Sequence, residues 1–466
     1  RVQPLDAKRE SNAWNFTGPN TSAVPFLYEV YVNQEAHLGF KNFPGISPGK
    51  ALRASQANPP LFTQTAAQVV AAETFRRTNS EYIEEAVSAL YLQGEVRLFK
   101  NRLNLVTGVR FEQTESDGQG LLNDPNAVFV RNANGTFARN AQGARIRKPE
   151  AGAVNSIEQL RLTHTERGAS AQRSYEGYYP SLHFNYNLTD NFIGRLAYAR
   201  TYGRPNFNEV IPNATINEAD LDQDELEDPN IPHGTITVRN TGLKPWTADN
   251  YDLSLEYYTN QGGVFSAGVF LKEIRDFFGT MVKIATAADL ELVGLDPKYV
   301  GWNLSTKFNS GDARITGVEF NVRHSLRAIG TWGRHFTVFA NATKLELEGN
   351  PYASFTSFIP KTANWGASFN WRRVSVMTKW NYRGLNKLTA LPALGPDGFL
   401  YLKARTTLDL NVGYQLTRRL SLAGSVNNVF NVVPLTNLRY APDTPAYARR
   451  STTSEYGVAF AVGLKG

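Results

Sequence analysis

The chain has 466 residues, a net charge of +7, 42% hydrophobic and 20% charged residues, and no cysteine. Lack of cysteine excludes disulfides, thiolate zinc sites and cysteine nucleophiles, and the composition is not that of a disordered chain. No run of about 18 apolar residues occurs, which excludes a helical membrane span but not a β-barrel, whose strands carry apolar side chains only at alternate positions.

Six histidines are present (His37, His164, His183, His233, His324, His335), none spaced as a helical metal site would require. Basic residues are scattered, with pairs at Arg76-Arg77, Arg372-Arg373 and Arg418-Arg419 but no long block, so no nucleic-acid partner is expected. The chain starts at Arg1 without a signal-peptide apolar region and is expected to be a piece of a longer protein.

Residues 1–80 follow no strand rhythm. Proline and glycine punctuate them at Pro44-Gly45, Pro48-Gly49 and Pro59-Pro60, and Thr65–Arg77 has the pattern of a short amphipathic helix. This stretch is expected to be a long extracellular loop region preceding the clear strands.

From about residue 81 to 466 one unit repeats: two period-2 segments, a short turn, then a longer polar stretch. Leu90–Leu98 turns at Phe99–Arg102 into Leu103–Phe111. Leu182–Leu188 turns into Phe192–Tyr198, Tyr251–Tyr257 into Phe265–Leu271, and Val318–Val322 into Phe336–Ala342. Trp365–Trp371 turns into Val374–Trp380, Leu408–Leu416 into Leu420–Val426, and Tyr456–Leu464 is the last strand. Alternate residues of such segments point to opposite faces. The count is roughly 13 strands of about ten residues, long enough to cross a bilayer at a tilt.

Turns at one end are short, while those at the other, near 117–171, 203–246, 279–311, 349–358, 385–400 and 429–452, are long. A transmembrane barrel has this asymmetry, with tight periplasmic turns and extended extracellular loops. The fold predicted is therefore all-β: an antiparallel up-and-down transmembrane β-barrel in the outer membrane of a Gram-negative-type bacterium.

On the predicted lipid-facing register, Trp365, Trp371, Trp380, Tyr382, Tyr198, Tyr414 and Tyr456 form an aromatic girdle. Opposite lie Arg110, Glu112, Arg195, Asp252, Glu256, Glu319, Arg323, Lys379, Arg383, Lys403, Arg405 and Asp409, expected to line a wet lumen. A soluble sandwich with these as its solvated face is the competing fold.

Gly45-Ile46-Ser47-Pro48-Gly49 matches a serine nucleophile elbow, but Pro48 has no N–H to offer an oxyanion hole. Asp220, Asp222 and Asp224 imitate the start of a calcium loop, yet Glu225 replaces its glycine and Ile231 its bidentate glutamate. They are retained as an extracellular ligand-loop candidate. Arg131, Arg139, Arg145, Arg147 and Lys148 offer a basic counterpart for lipopolysaccharide or an anionic solute. No group of residues meets the requirements of a catalytic site, and no cofactor or metal is expected.

Several strings, in order, carry a family resemblance. Tyr202-Gly203-Arg204-Pro205-Asn206-Phe207 resembles a strand end of TonB-dependent outer-membrane receptors. Asn240-Thr241-Gly242-Leu243-Lys244-Pro245-Trp246 with Asp249-Asn250-Tyr251 resembles their N-x-x-LKPE…NYEL segment, Trp246 standing for glutamate. Gly317-Val318-Glu319 is similar to their GVE strand, and Asn427-Asn428-Val429-Phe430-Asn431 to their NLFN strand.

The resemblance implies part of a plugged 22-stranded barrel. It further implies import of a scarce solute such as a siderophore, corrinoid, glycan or peptide, energised by the TonB complex through an N-terminal plug missing from the 466 residues. A passive porin is the nearest functional rival.

Overall fold

The protein is seen here as a computed structural model that describes residues 2–17, 47–228, 230–349, 358–391, 394 and 398–466. The strands are β1 (Val2–Lys8), β2 (Asn15–Phe16), β3 (Phe62–Thr63), β4 (Ser80–Leu98), β5 (Leu103–Asn123), β6 (His164–Asn187), β7 (Phe192–Gly203) and β8 (Ala214–Glu218). There follow β9 (Gly234–Val238), β10 (Trp246–Tyr258), β11 (Val264–Ile284), β12 (Asn303–Ser325), β13 (Phe336–Gly349), β14 (Lys361–Trp371) and β15 (Val374–Arg383). The last are β16 (Asn386–Ala390), β17 (Phe399–Leu402), β18 (Arg405–Gln415), β19 (Ser421–Asn427), β20 (Leu435–Tyr440), β21 (Arg450–Ser454) and β22 (Ala459–Lys465).

One 16-stranded sheet dominates, in the order β1-β4-β5-β6-β7-β10-β11-β12-β13-β14-β15-β18-β19-β22, with β8 and β9 off this path. Every neighbour pair along the path is antiparallel, an all-β meander. The expected segments appear as strands, although the last starts at Ala459 rather than Tyr456. β1 adds one that the sequence pattern concealed, pairing Val2–Lys8 with Ser80–Ala86. Polar and apolar residues do not alternate cleanly along β1, because it pairs beyond the apolar band.

The same reason lengthens other strands. β5 runs to Asn123 and β6 starts at His164, inside what the pattern read as a connection. The backbone ladder continues after the alternation of side chains has stopped. The helix expected over Thr65–Arg77 is Ala66–Thr78, opened by a Thr65/Gln68 capping box. Ser47 of the elbow-like pentapeptide accepts a bond from Lys50 N and caps helix Pro48–Ala57; Gly45 and Ile46 lie outside the described residues, as does most of the 349–358 connection. In the first short turn Phe99, Lys100 and Asn101 take φ of 55°, 57° and 69°.

The two faces of the sheet differ sharply. Leu90, Leu92, Phe460 and Val462 are 74%, 76%, 79% and 75% exposed, and Leu253, Val269, Phe320 and Val412 continue the same register. Such a contiguous apolar surface calls for a lipid or protein partner. Stacked Trp365 and Trp380 (6.1 Å) and paired Tyr198 and Tyr251 (5.2 Å) lie on it.

The densest core lies at the long-loop end. Hairpin β8–β9 runs parallel to β5 on one side and to β12 on the other, so it bridges two strands separated by four others. Ile216, Ile236, Leu290, Val293 and Leu304 are fully buried there with Trp302. A second four-stranded sheet, β16-β17-β20-β21, covers the last two long connections.

Candidate functional site

The register sets Arg110, Glu112, Arg195, Asp252, Glu256, Glu319, Arg323, Lys379, Arg383, Arg405 and Asp409 on one face, opposite the exposed apolar band. Their local situations differ. Arg195 binds Glu256 (2.9 Å) and Asn185 (2.7 Å), and Tyr258 donates to Glu256 (2.8 Å). Asp409 accepts from Asn381 Nδ2 (2.8 Å) and from the backbone N of Asn428 (3.0 Å). Asp252, Glu319 and Arg323 are exposed and form no ion pair among the described residues.

Toward the long-loop end this face closes into a network. Glu112, 3% exposed, accepts from Arg110 (2.5 Å), from the Tyr202 hydroxyl (2.6 Å) and from Arg204. Arg204 also binds Glu85 (2.9 Å) and Thr114 (3.3 Å), and Tyr202 packs on Tyr179 at 4.4 Å. One buried carboxylate thus gathers two guanidinium groups, which a low-dielectric site tolerates only because the charges compensate. Tyr202, Arg204 and Glu85 carry no separate signal in the alternation pattern. The family-like string around Arg204 was the available cue.

The other family-like strings also have structural work. Gly203 lies under Trp246, and a Cβ there would fall 2.2 Å from the indole. Asn240 Oδ1 accepts from Gly242 N while its amide donates to Lys307 O, Thr241 donates to Val210 O, and Leu243 is buried against Ile83. These bonds fold the segment before β10 onto the polar face. Asn428, at φ 58°, exchanges two bonds with Val432, and Phe430 stacks on Trp380.

The acidic run and its basic counterpart meet. Asp220 binds Arg139 (2.6 Å) and Arg145 (2.9 Å), and Glu218 binds Arg131. Arg131 and Arg145 lie over the Phe137 ring at 4.6 and 4.3 Å. Burial would raise the Asp220 carboxyl, but the bonds from Arg145 and Arg139 outweigh it and hold it below its ordinary value. Asp222 caps the helix Gln223–Glu227, in whose first turn Asp224 lies. Among the described residues no group of three or more metal-ligating side chains converges. Within the run, Asp220 is ion-paired with residues about 80 positions away in the chain and Asp222 caps a helix.

Around the four-stranded sheet the balance is different. Lys403, Arg405 and Arg450 line a cleft of about 480 Å³ whose other walls are Val432, Val433, Thr436 and Leu438. Among the described residues none of these three cations has a carboxylate within ion-pair distance.

In this geometry an exposed apolar band backs a charged wall, and loops fold over one end. Residues 7–429 match the model of the family described as TonB dependent receptor-like, beta-barrel. Of the solved structures, that of the ferric citrate transporter FecA in the unliganded form is similar at 14% identity and a TM-score of 0.50, over 83% of this chain and 45% of that one. The ferric-catecholate import receptor Fiu from K12 E. coli is similar at 13% identity and a TM-score of 0.52, over 84% and 46%. The chain thus spans less than half the length of either, and at such identities the likeness concerns the fold. No curated protein matches the chain. With the family model covering the whole meander through β19, this chain belongs to the TonB-dependent receptor-like β-barrel family.

Proposed function

We propose that the chain forms much of the wall and the extracellular mouth of an outer-membrane importer for a small solute, and that it performs no covalent chemistry. The observation that carries this reading is the two-faced sheet: one register exposes a continuous apolar band, the other a ladder of charges. Lipid, with lipopolysaccharide in the outer leaflet, covers the first, and the second faces an aqueous lumen. Arg110, Arg195, Asp252, Glu256, Glu319, Arg323, Lys379, Arg383, Arg405 and Asp409 are then lumen residues, with Glu112 as the charged anchor of the mouth.

The family's coupling to the inner-membrane TonB complex belongs to the same proposal, with a plug enclosed by the polar wall. The ferric citrate and ferric-catecholate names of the similar structures make an iron-chelate a reasonable first solute to test. The experiment compares depletion of medium solutes by cells with and without the gene, each with and without a working TonB complex. Depletion of one solute that needs both components is expected; depletion indifferent to TonB would leave a passive channel instead.

A further inference from the structure

Cations at the long-loop end divide into two populations. On the β4–β12 side many are matched: Arg204 with Glu85 and Glu112, Arg139 and Arg145 with Asp220, Lys283 with Asp289, Lys307 with Glu209, Arg239 with Glu81. Between residues 386 and 454, leaving aside Arg418 and Arg419 in the short β18–β19 turn, lie Lys387, Lys403, Arg405, Arg439, Arg449 and Arg450. None of these forms an ion pair among the described residues, and neither does Asp443 in the same segment. Asp397 lies outside the described residues.

Three of these cations converge on the cleft already described, and contacts to neutral groups fix two of them. Arg405 donates to the carbonyl of Pro434, and Arg450 Nε donates to Thr453 Oγ1 at 2.9 Å. Each guanidinium keeps further N–H donors after those bonds. Val432, Val433 and Leu438 supply apolar wall, which lowers the local dielectric and strengthens any charge interaction inside.

A second observation points the same way. Arg383 and Arg405 stand directly opposite each other across β15 and β18, an arrangement that is unfavourable without a counter-charge. Arg383 Nε is buried and has no hydrogen-bond partner among the described residues, as is also true of Arg204 Nε. The cleft therefore gathers positive charge that no carboxylate pairs among the described residues.

We infer that the Lys403–Arg405–Arg450 cleft is an oxyanion site that takes the phosphate or carboxylate groups of a small soluble anion. Lysine and arginine donors around a partly apolar cleft suit charge-assisted hydrogen bonds to such groups. The shared chemistry also belongs to lipopolysaccharide phosphates. Arg405, however, lies on the charged register and not on the apolar band, so a soluble anion approaching through the mouth is the assigned source. The onward passage of that anion rests on the importer reading; its binding does not.

The test uses the full-length protein purified in detergent, with citrate and pyrophosphate as carboxylate and phosphate probes in titration calorimetry. Saturable binding of at least one probe is expected. In Lys403→Gln/Arg450→Gln, which leaves the Arg405–Pro434 bond in place, it should weaken by about tenfold or more, the loss of two charge-assisted bonds. Arg139→Gln, whose cation is already paired, should leave probe binding unchanged. Retained heat-modifiable gel mobility checks that each variant is folded.

Equal probe affinity in the double variant and the unaltered protein overturns the site. No probe binding by the unaltered protein, with less co-purifying lipopolysaccharide phosphate in the variant, overturns the soluble-anion assignment in favour of the lipid. Weakened probe binding in the variant, in a protein whose cells take up no solute in a TonB-dependent way, upholds the cleft while the importer reading fails.

Discussion

The two structures at the long-loop end of this wall are built on opposite principles. Hairpin β8–β9 and its neighbours enclose Ile216, Ile236, Leu290 and Leu304 and match their cations with carboxylates. The β16-β17-β20-β21 sheet has only Leu402 and Ala441 as buried apolar residues among those described, and its cations stand unmatched. Its cations lie over its aromatic rings: Lys387 lies 3.4 Å over Phe399 and Arg449 4.6 Å over Tyr440. One structure gains its stability from burial and internal neutralisation. The other leaves its cations without carboxylate partners among the described residues.

The contrast is sharpest at Glu112. Removing a buried carboxylate leaves its guanidinium partners uncompensated, so Glu112→Ala should cost about 3–5 kcal/mol in a folding titration. A cost near zero would mean that water already screens Arg110 and Arg204. Next comes the apolar core: Leu304→Ala should lose about 2–5 kcal/mol locally, read as faster amide exchange in residues 214–238. Leu438→Ala, half-buried in the other sheet, should produce a smaller change confined to that sheet.

Both structures ride on the same wall, which has its own test. Leu410→Lys places charge on the apolar band and should cost about 2–4 kcal/mol near mid-membrane, against much less for a change on the charged face. Asp409→Asn is the neighbouring comparison, moderated by the two bonds Asp409 accepts. Equal costs would reverse the facing assignment.

Acid should separate the regions without mutation. The Arg76 hydrogen bond, opposed by burial and helped by Arg77, draws Glu73 from 4.5 down to about 2. Asp220 is also lowered, its arginine bonds outweighing burial. A carboxyl whose folded pKa lies below its unfolded value stabilises the fold above the unfolded value and loses that contribution as pH falls through the folded one. Pepsin nicking around 66–78 should therefore rise between pH 4.5 and about 2, and around 218–228 as pH falls below the ordinary aspartate value. The smallest effect is Arg450→Gln, whose cation has no ion pair to lose and should shift stability by less than about 0.5 kcal/mol. A larger loss would mean the cation is structural.

The wall was legible in the sequence because one face of the sheet is apolar and the other charged, which writes a two-residue period into Leu408–Leu416 and Leu90–Leu98. β1 was not, since Val2–Lys8 pairs with Ser80–Ala86 beyond that band and shows no such pattern. The charged ladder could be listed from alternation alone. That Asp409 supports the Asn428 turn while Asp252 stands exposed could not, because those differences arise from neighbours in other strands.

By itself, then, the sequence determined which residues form the wall and which side each presents, since both follow from local alternation against two solvents. Tertiary structure decided which charges are spent. Asp220 pairs with Arg139 and Arg145 from a distant loop, and Lys403, read from alternation as one member of the charged ladder, meets Arg450 around one cleft without an ion-paired carboxylate among the described residues. Charge compensation depends on distance in space, which the order of residues along a chain does not encode.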